Sequence, residues 1–145
     1  MTASDPFDLQ RFIDAQDGVY ETALAELRAG SKQSHWMWFV FPQLAGLGRS
    51  PTALFYAIAS IDEARAYLEH PLLGARLREC VDALLSWTDK RAPEQILGSI
   101  DAIKLRSSLT LFDHIDPHSL FEQALLNFFE GRRDERTLAL LADEQ

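Results

Sequence analysis

The hydrophobic positions along most of this chain recur every three to four residues, the spacing of helices with one buried face. Segments with this spacing are separated by Gly, Pro and Ser, which begin or end helices. Few segments alternate polar and apolar residues as a half-buried strand would. The pattern predicts an all-α, single irregular multi-helix domain of about eight helices.

One segment departs from this pattern because it is apolar on every side. Residues 34–43 read Ser-His-Trp-Met-Trp-Phe-Val-Phe-Pro-Gln and contain two of the three tryptophans. As a helix, the segment would begin after Ser34 and end at Pro42, and its side chains would need cover on every side. A strand over residues 35–41 is the alternative, because aromatic residues and Val also favour strands. In either case we expect a central, buried, aromatic-rich element around which the other helices pack.

Composition and charge narrow the class of protein. The 145 residues suit a single helical domain, residues 1–145, with a loose N-terminal segment over residues 1–7. The net charge of −8 argues against a nucleic-acid or membrane-surface binder, since both targets are anionic. The single cysteine, Cys80, rules out an intrachain disulfide and a cysteine-based metal cluster. No signal-peptide pattern or membrane-spanning apolar run occurs, so we expect a cytoplasmic protein.

The helix predicted over residues 99–115 carries polar residues inside its apolar arc. Asp101, Lys104 and Ser108 follow one another at i, i+3 and i+7, so their side chains lie along one stripe. Because an unpartnered buried charge is costly, these groups need a partner or a ligand. One interpretation is an Asp101–Lys104 ion pair that holds two helices together. The other is a stripe facing a pocket, with Lys104 binding an anion and Asp101 acting as a base or hydrogen-bond partner.

His35 and Gln43, at the two ends of the aromatic stretch, are the next candidates. A histidine beside a helix N-terminus is expected to stay neutral, since that end of the helix dipole disfavours positive charge. Neutral imidazole could act as a general base or bind a ligand, although a structural histidine in the core is the commoner case. The remaining histidines lack the spacing of a zinc motif, so the sequence predicts no metal site.

A loop with two glycines, residues 46–50, precedes a helix that Ser50-Pro51 would begin. Glycine lets the backbone approach a ligand, and the free N–H groups of a helix start favour anions. A plain turn is the simpler interpretation; in the functional one, Arg49 would contact a phosphate. The loop matches neither a Walker motif nor a dinucleotide fingerprint, so no cofactor is predicted.

These candidates support two hypotheses from different classes. In the first, an enzyme or small-molecule binder has a pocket between the aromatic stretch and the helix over residues 99–115. Its ligand would be small and anionic, with nucleotide-derived compounds among the options, and His35 and Asp101 would be the acid–base pair. In the second, the domain has no chemistry and binds a protein partner or forms a homodimer through exposed aromatic residues. For the first hypothesis, the predicted ligand contacts are Trp36, Trp38, Gln43, Arg49, Lys104, Arg106 and Ser108.

Four motifs occur in order along the chain: SHWMWFVFPQ at 34–43, GLG at 46–48, YLEHPLLG at 67–74 and DAIKLRSS at 101–108. Together they resemble a bacterial family of uncharacterised function, some of whose members carry the label calpastatin. The resemblance covers nearly the whole chain and implies a small, mostly helical, single-domain cytoplasmic protein without an established activity. In style, but without a matched motif, the chain is also similar to helical N-glycosidases associated with NAD and ADP-ribose.

Overall fold

Regular structure in this protein is helical throughout the residues that the computed structural model describes, which are 4–144. Within this range, the β-type pairing is one isolated parallel bridge between Leu44 and Ile58. The all-α prediction is therefore confirmed. The described residues form ten helices, where the sequence predicts about eight, and three of the ten have only four or five residues. The helices are α1 (Gln10–Gln16), α2 (Tyr20–Ala29), α3 (Met37–Val40), α4 (Pro51–Phe55), α5 (Ile61–Glu69), α6 (Leu73–Leu85), α7 (Pro93–Leu97), α8 (Ser99–Ile115), α9 (Leu120–Phe129) and α10 (Glu135–Glu144).

The longest helix, α8, runs through the centre of the hydrophobic core. Nine of its 17 residues are buried, and it packs against α5, α7, α9 and α10. Phe112 lies between two other aromatic rings, those of Tyr67 and Phe121. Gly98 ends α7 and directly precedes α8, with φ of +89°. This backbone conformation favours glycine, and it allows α8 to begin immediately after α7 in a new direction. The first two turns of α8 lie at the edge of the core, where only Ala102 and Leu105 are buried.

The aromatic stretch forms one helical turn, α3, between non-helical residues. The helical interpretation is confirmed for Met37–Val40, and Pro42 follows shortly after the helix ends. The predicted start at Ser34 is wrong, because Trp36 is the residue that precedes the helix and no side chain caps it. The hydroxyl of Ser34 instead donates a hydrogen bond to Glu26 in α2.

Burial along this stretch is uneven. Trp36, Val40 and Phe41 are fully buried, as expected for a central element. Trp38 and Phe39 are only partly buried, so the expected cover on every side does not hold for them. Successive side chains in a helical turn point about 100° apart, so they face different neighbours. The side that carries Trp38 is covered only in part. This side forms a wall of the candidate site.

The loop after the aromatic stretch is anchored by backbone pairing. Ala45 N–H donates to Ile58 O at 2.8 Å, and Ile58 N–H donates to Gln43 O at the same distance. The anchored loop brings Gly48 against the ring of Trp38, where an added Cβ would lie 3.0 Å from a ring carbon. Glycine at this position therefore serves the close approach of the loop to Trp38.

The N-terminal end of the described chain contacts the start of α1. The carboxylate of Asp5 accepts hydrogen bonds from the backbone N–H groups of Leu9 and Gln10, at 2.8 and 3.0 Å. Of the segment predicted to be loose, residues 1–3 lie outside the described range. Within residues 4–144, no helix is long and apolar enough to cross a membrane.

Candidate functional site

A charged cluster joins the loop before the aromatic stretch to the first turns of α8. Lys32 Nζ lies 3.0 Å from one carboxylate oxygen of Asp101, and Lys104 Nζ lies 3.1 Å from the other. The side chains of Lys32, Asp101 and Lys104 are 9, 17 and 22% exposed, so water screens the cluster only in part. The backbone N–H of Lys32 also donates to Ile96 O at 2.7 Å, which fixes its loop against α7. One carboxylate thus holds two ammonium groups, and the three side chains together carry one net positive charge.

Each ammonium group also faces an indole ring. Lys104 Nζ lies 4.3 Å from the ring centroid of Trp38, and Lys32 Nζ lies 5.1 Å from that of Trp36. The face of an indole ring is electron-rich and attracts a cation at these distances. Both lysine side chains are therefore oriented by two contacts each, one ionic and one aromatic.

The pKa of Asp101 reflects this environment. Partial burial alone would raise the pKa of the carboxyl, but hydrogen bonds from Lys32 and Lys104 outweigh that effect and lower the pKa below its usual value. A carboxylate held by two ammonium groups is a weak proton acceptor. The geometry therefore suits positioning of the lysines better than general-base chemistry at Asp101.

Glu26, near the end of α2, orders the loop that leads into the site. Its carboxylate accepts hydrogen bonds from Gln33 N–H at 2.8 Å, Ser34 N–H at 3.0 Å and Ser34 Oγ at 2.6 Å. It also accepts one from the indole Nε1 of Trp36 at 3.0 Å. Partial burial alone would raise the pKa of Glu26, but these hydrogen bonds lower it to about 2. Glu26 therefore fixes the orientation of Trp36, one of the aromatic walls of the site.

A cavity of about 150 Å³ lies beside the charged cluster. Its walls are residues 35–39 of the aromatic stretch, Lys32, Thr52 of α4, and Asp101 and Lys104 of α8. The volume corresponds to roughly five water molecules at their liquid packing. It suits a group of the size of a phosphate or a carboxylate with a few attached atoms.

A second cavity, of about 210 Å³, lies on the other side of Trp38 and Lys104, and these two side chains line both cavities. Its further walls come from the loop after α3, from α8 and from the start of α10. Gln43 lines this cavity, is 6% exposed, and its Nε2 has no hydrogen-bond partner among residues 4–144. The second cavity thus adds an unpartnered amide to charged lining residues, which are Lys104, Asp134 and Arg136.

The sequence matches the model of a family described as "Protein of unknown function (DUF1810)" over residues 6–141. The chain belongs to this family. In structure it is similar to the crystal structure of the conserved hypothetical protein Rv1873 from Mycobacterium tuberculosis, with a TM-score of 0.91 and 52% sequence identity. That match covers 95% of this chain and 99% of the mycobacterial chain. No curated protein matches the sequence.

Membership of DUF1810 confirms the resemblance to an uncharacterised family. The mycobacterial relative is consistent with the prediction that this family is bacterial. Neither match carries the calpastatin label or a glycosidase activity.

Five of the residues proposed from the sequence lie together at the first cavity. His35 is exposed there and Trp36 is buried, while Trp38 of α3 and Asp101 and Lys104 of α8 line the same cavity. Their common location follows from side-chain contacts, since Lys104 of α8 lies over the ring of Trp38 and Asp101 binds Lys32, which precedes the aromatic stretch.

The other proposed ligand contacts lie elsewhere. Gln43 lines the second cavity, and Arg49 is exposed on its loop and lines neither cavity. Arg106 points to the other side of α8, about 200° from Lys104, where it lies 3.8 Å from Asp134. Ser108 is buried, lines neither cavity, and its Oγ has no partner among the described residues.

Two residues that shape the site, Lys32 and Glu26, are not predicted by any pattern in the sequence. Lys32 lies in a short polar loop without any periodic pattern, and the one signal for it is that the chain has only three lysines. In the sequence, Glu26 cannot be distinguished from any other glutamate on the polar face of a helix. Its role depends on Gly30, whose φ of +71° reverses the chain and returns the following loop to α2.

Proposed function

We propose that this protein binds a small anionic ligand in the cavity between the aromatic stretch and α8. The proposal is supported above all by two ammonium groups, those of Lys32 and Lys104. The carboxylate of Asp101 holds both at the edge of a cavity with aromatic walls. The cluster has a net positive charge in a chain whose net charge is −8. A local positive charge against this background attracts an anion specifically to the cavity.

The arrangement favours binding because the lysines are already in place. An ammonium group has three N–H donors, and the contact with Asp101 leaves donors on Lys32 and Lys104 for a ligand. Because the salt bridges to Asp101 hold both side chains, less conformational entropy is lost when a ligand binds. Trp36 and Trp38 supply apolar walls for the organic part of the ligand.

Nucleotide-derived compounds are part of the proposed ligand class. They combine a phosphate, which fits the lysine pair, with a ring, which fits aromatic walls. The similarity in style to N-glycosidases associated with NAD and ADP-ribose adds ADP-ribose to the compounds worth testing. His35 is the acid–base candidate for any reaction at this cavity, since it is exposed there and Asp101 is held by two lysines.

Thermal unfolding tests the proposal with a panel of phosphate, nucleotides, ADP-ribose, sugar phosphates and small organic acids. A ligand present at 100 times its dissociation constant stabilises the folded state by about 2.7 kcal/mol, which raises the Tm by several degrees. We expect such a shift in the wild type and in Lys90→Met, an exposed lysine outside the cavity, and its loss in Lys104→Met. Equal shifts in the two variants, or none across the panel, would contradict the proposal.

A second candidate function, a protein-interaction or dimerisation surface, is favoured by two exposed isoleucines. Ile100 and Ile103 are 71 and 61% exposed and lie one helical turn apart on α8. A contiguous exposed apolar patch is a feature of protein interfaces, and these two side chains would form part of one. Light scattering of the wild type and of Ile100→Lys tests this function, which predicts a dimer that the substitution dissociates. A monomer at all concentrations would remove the homodimer version.

We also propose a cytoplasmic location, supported by the free and buried Cys80. Recovery of the tagged protein from an extracytoplasmic fraction of its native cell would contradict this. We do not extend the calpastatin label to this chain. Calpastatin is disordered and repetitive, whereas residues 4–144 form ten helices around a shared hydrophobic core.

A further inference from the structure

The two cavities beside α8 are separated by a thin wall of two side chains. Trp38 and Lys104 are the residues that line both, and their contact is the 4.3 Å approach of Lys104 Nζ to the ring of Trp38. Both side chains are partly exposed. A contact between a cation and an aromatic ring at the surface is weak, so a ligand can replace it by making its own contacts with the same two groups.

Among the described residues that line the second cavity, one has a buried hydrogen-bonding group without a partner. Ser107 Oγ donates to Ile103 O at 3.2 Å, Arg136 donates to Gly46 O at 3.3 Å, and the carboxylate of Asp134 accepts from Thr137. These polar groups at the cavity already have partners in the chain.

Gln43 differs, because its Nε2 is buried and has no partner among the described residues. Its backbone is fixed, since Gln43 O accepts a hydrogen bond from Ile58 N–H at 2.8 Å. A buried amide donor without a partner is costly to the folded protein, and an acceptor brought by a ligand removes that cost. Around it, Leu47, Ile100 and Ile103 supply apolar walls. The cavity therefore fits a flat, weakly polar group with a hydrogen-bond acceptor.

We infer that one ligand occupies both cavities. Its anionic group contacts Lys32 and Lys104, and its linker passes Trp38. Its far end is a planar ring or carbonyl group that accepts a hydrogen bond from Gln43 Nε2. Compounds with a phosphate at one end and a heterocyclic ring at the other, such as nucleoside monophosphates, have this chemistry. This inference rests on the proposed anion site and adds the length and the second recognition point of the ligand.

Calorimetric titration with a series of growing probes tests the inference. The probes are inorganic phosphate, ribose 5-phosphate, adenosine monophosphate and uridine monophosphate. In the wild type, we expect at least one nucleotide to bind about tenfold more tightly than ribose 5-phosphate, the gain of one good hydrogen bond. Gln43→Met should remove this gain and leave ribose 5-phosphate binding unchanged. The matched control is Gln123→Met, since Gln123 is an exposed glutamine of α9.

A second variant keeps the test independent of the fold around Gln43. Ile103 is exposed, so Ile103→Trp can fill the second cavity without disturbing the core. Ile103→Trp should also abolish the tighter binding of the nucleotide relative to ribose 5-phosphate, and it should leave the affinity for ribose 5-phosphate unchanged. The inference would be overturned if the nucleotides bound no more tightly than ribose 5-phosphate. It would also be overturned if a well-folded Gln43→Met lost the same fraction of its affinity for every probe. Either result would leave the anion site intact. The absence of binding by every probe would overturn the anion site as well.

Discussion

Lys32 Nζ and the carboxylate of Asp101 lie 3.0 Å apart, although one residue precedes the aromatic stretch and the other lies in the second half of the chain. The contact ties the loop after α2 to the first turn of α8. Because Asp101 also binds Lys104, the same carboxylate sets the positions of both ammonium groups at the cavity. Asp101 is thus the organising residue of the charged cluster.

Replacement of Asp101 by Asn should destabilise the protein. The change leaves two neighbouring ammonium groups without their shared counter-charge, and their repulsion adds to the loss of charged hydrogen bonds. We expect the free energy of unfolding to fall by about 1–3 kcal/mol at neutral pH. Urea denaturation measures it, with Asp82→Asn, an exposed position of α6, as the control. Added salt should recover part of the loss, since it screens the repulsion; a stability equal to that of the control would contradict the prediction.

Glu26 should make the stability of the protein dependent on pH in the acid range. Its pKa of about 2 in the folded protein lies below the ordinary glutamate value of about 4.3. The stabilisation is therefore complete above the unfolded-state pKa and is lost as the pH falls toward 2. Because Glu26 is only partly buried, we expect about 1–2 kcal/mol after allowing for solvent screening.

Denaturation of Glu26→Gln between about pH 6 and pH 2 checks this prediction. The variant should be less stable than the wild type at pH 6, and the difference should shrink as the pH falls. Glu69→Gln, an exposed residue of α5, serves as the matched control. A difference that stays constant over the whole range would show that the charge of Glu26 contributes nothing.

Gly48→Ala should disturb the packing of the loop against Trp38. The new Cβ would lie 2.6 Å from Ala53 Cβ and 3.0 Å from a ring carbon of Trp38, so the neighbours must move. Overpacking of this kind costs about 1–3 kcal/mol. In an Ala53→Gly background the closer of these contacts is gone, and the cost of Gly48→Ala should decrease. A double-mutant cycle by urea denaturation measures the difference, and equal costs in both backgrounds would contradict the packing argument.

Asp134 should stabilise the start of α10. Its carboxylate accepts hydrogen bonds from Thr137 N–H at 2.9 Å and from Thr137 Oγ1 at 2.6 Å. Loss of such a cap in Asp134→Ala should lower the free energy of unfolding by about 0.5–2 kcal/mol. Asp134→Asn should cost less, because an amide oxygen can still accept. Glu135→Ala, at the exposed neighbouring position, is the control, and equal effects in all three variants would rule out the cap.

Local spacing explains which parts of the site could be predicted from the sequence. Asp101 and Lys104 lie three residues apart on one helix, and the helical period alone places their side chains together. Ser50 caps α4 as its place before Pro51 predicts, because its hydroxyl accepts from Ala53 N–H three residues later. Ser34, by contrast, has the sequence position of a helix cap, but its hydroxyl donates to Glu26 instead. A cap is predictable only where no group from another element competes for it.

The helical period and the spacing of Gly, Pro and Ser determined by themselves that this is an all-α protein, and they located α8 and its polar stripe. These features depend on residues close together in the chain, whose relative positions a helix sets. Tertiary packing alone decided that Lys32 joins Asp101, that Glu26 holds the loop before Trp36, and that Trp38 stands between two cavities. Such contacts join residues from separate elements. Their geometry depends on how the hydrophobic faces of all the helices are buried at once, which no local pattern contains.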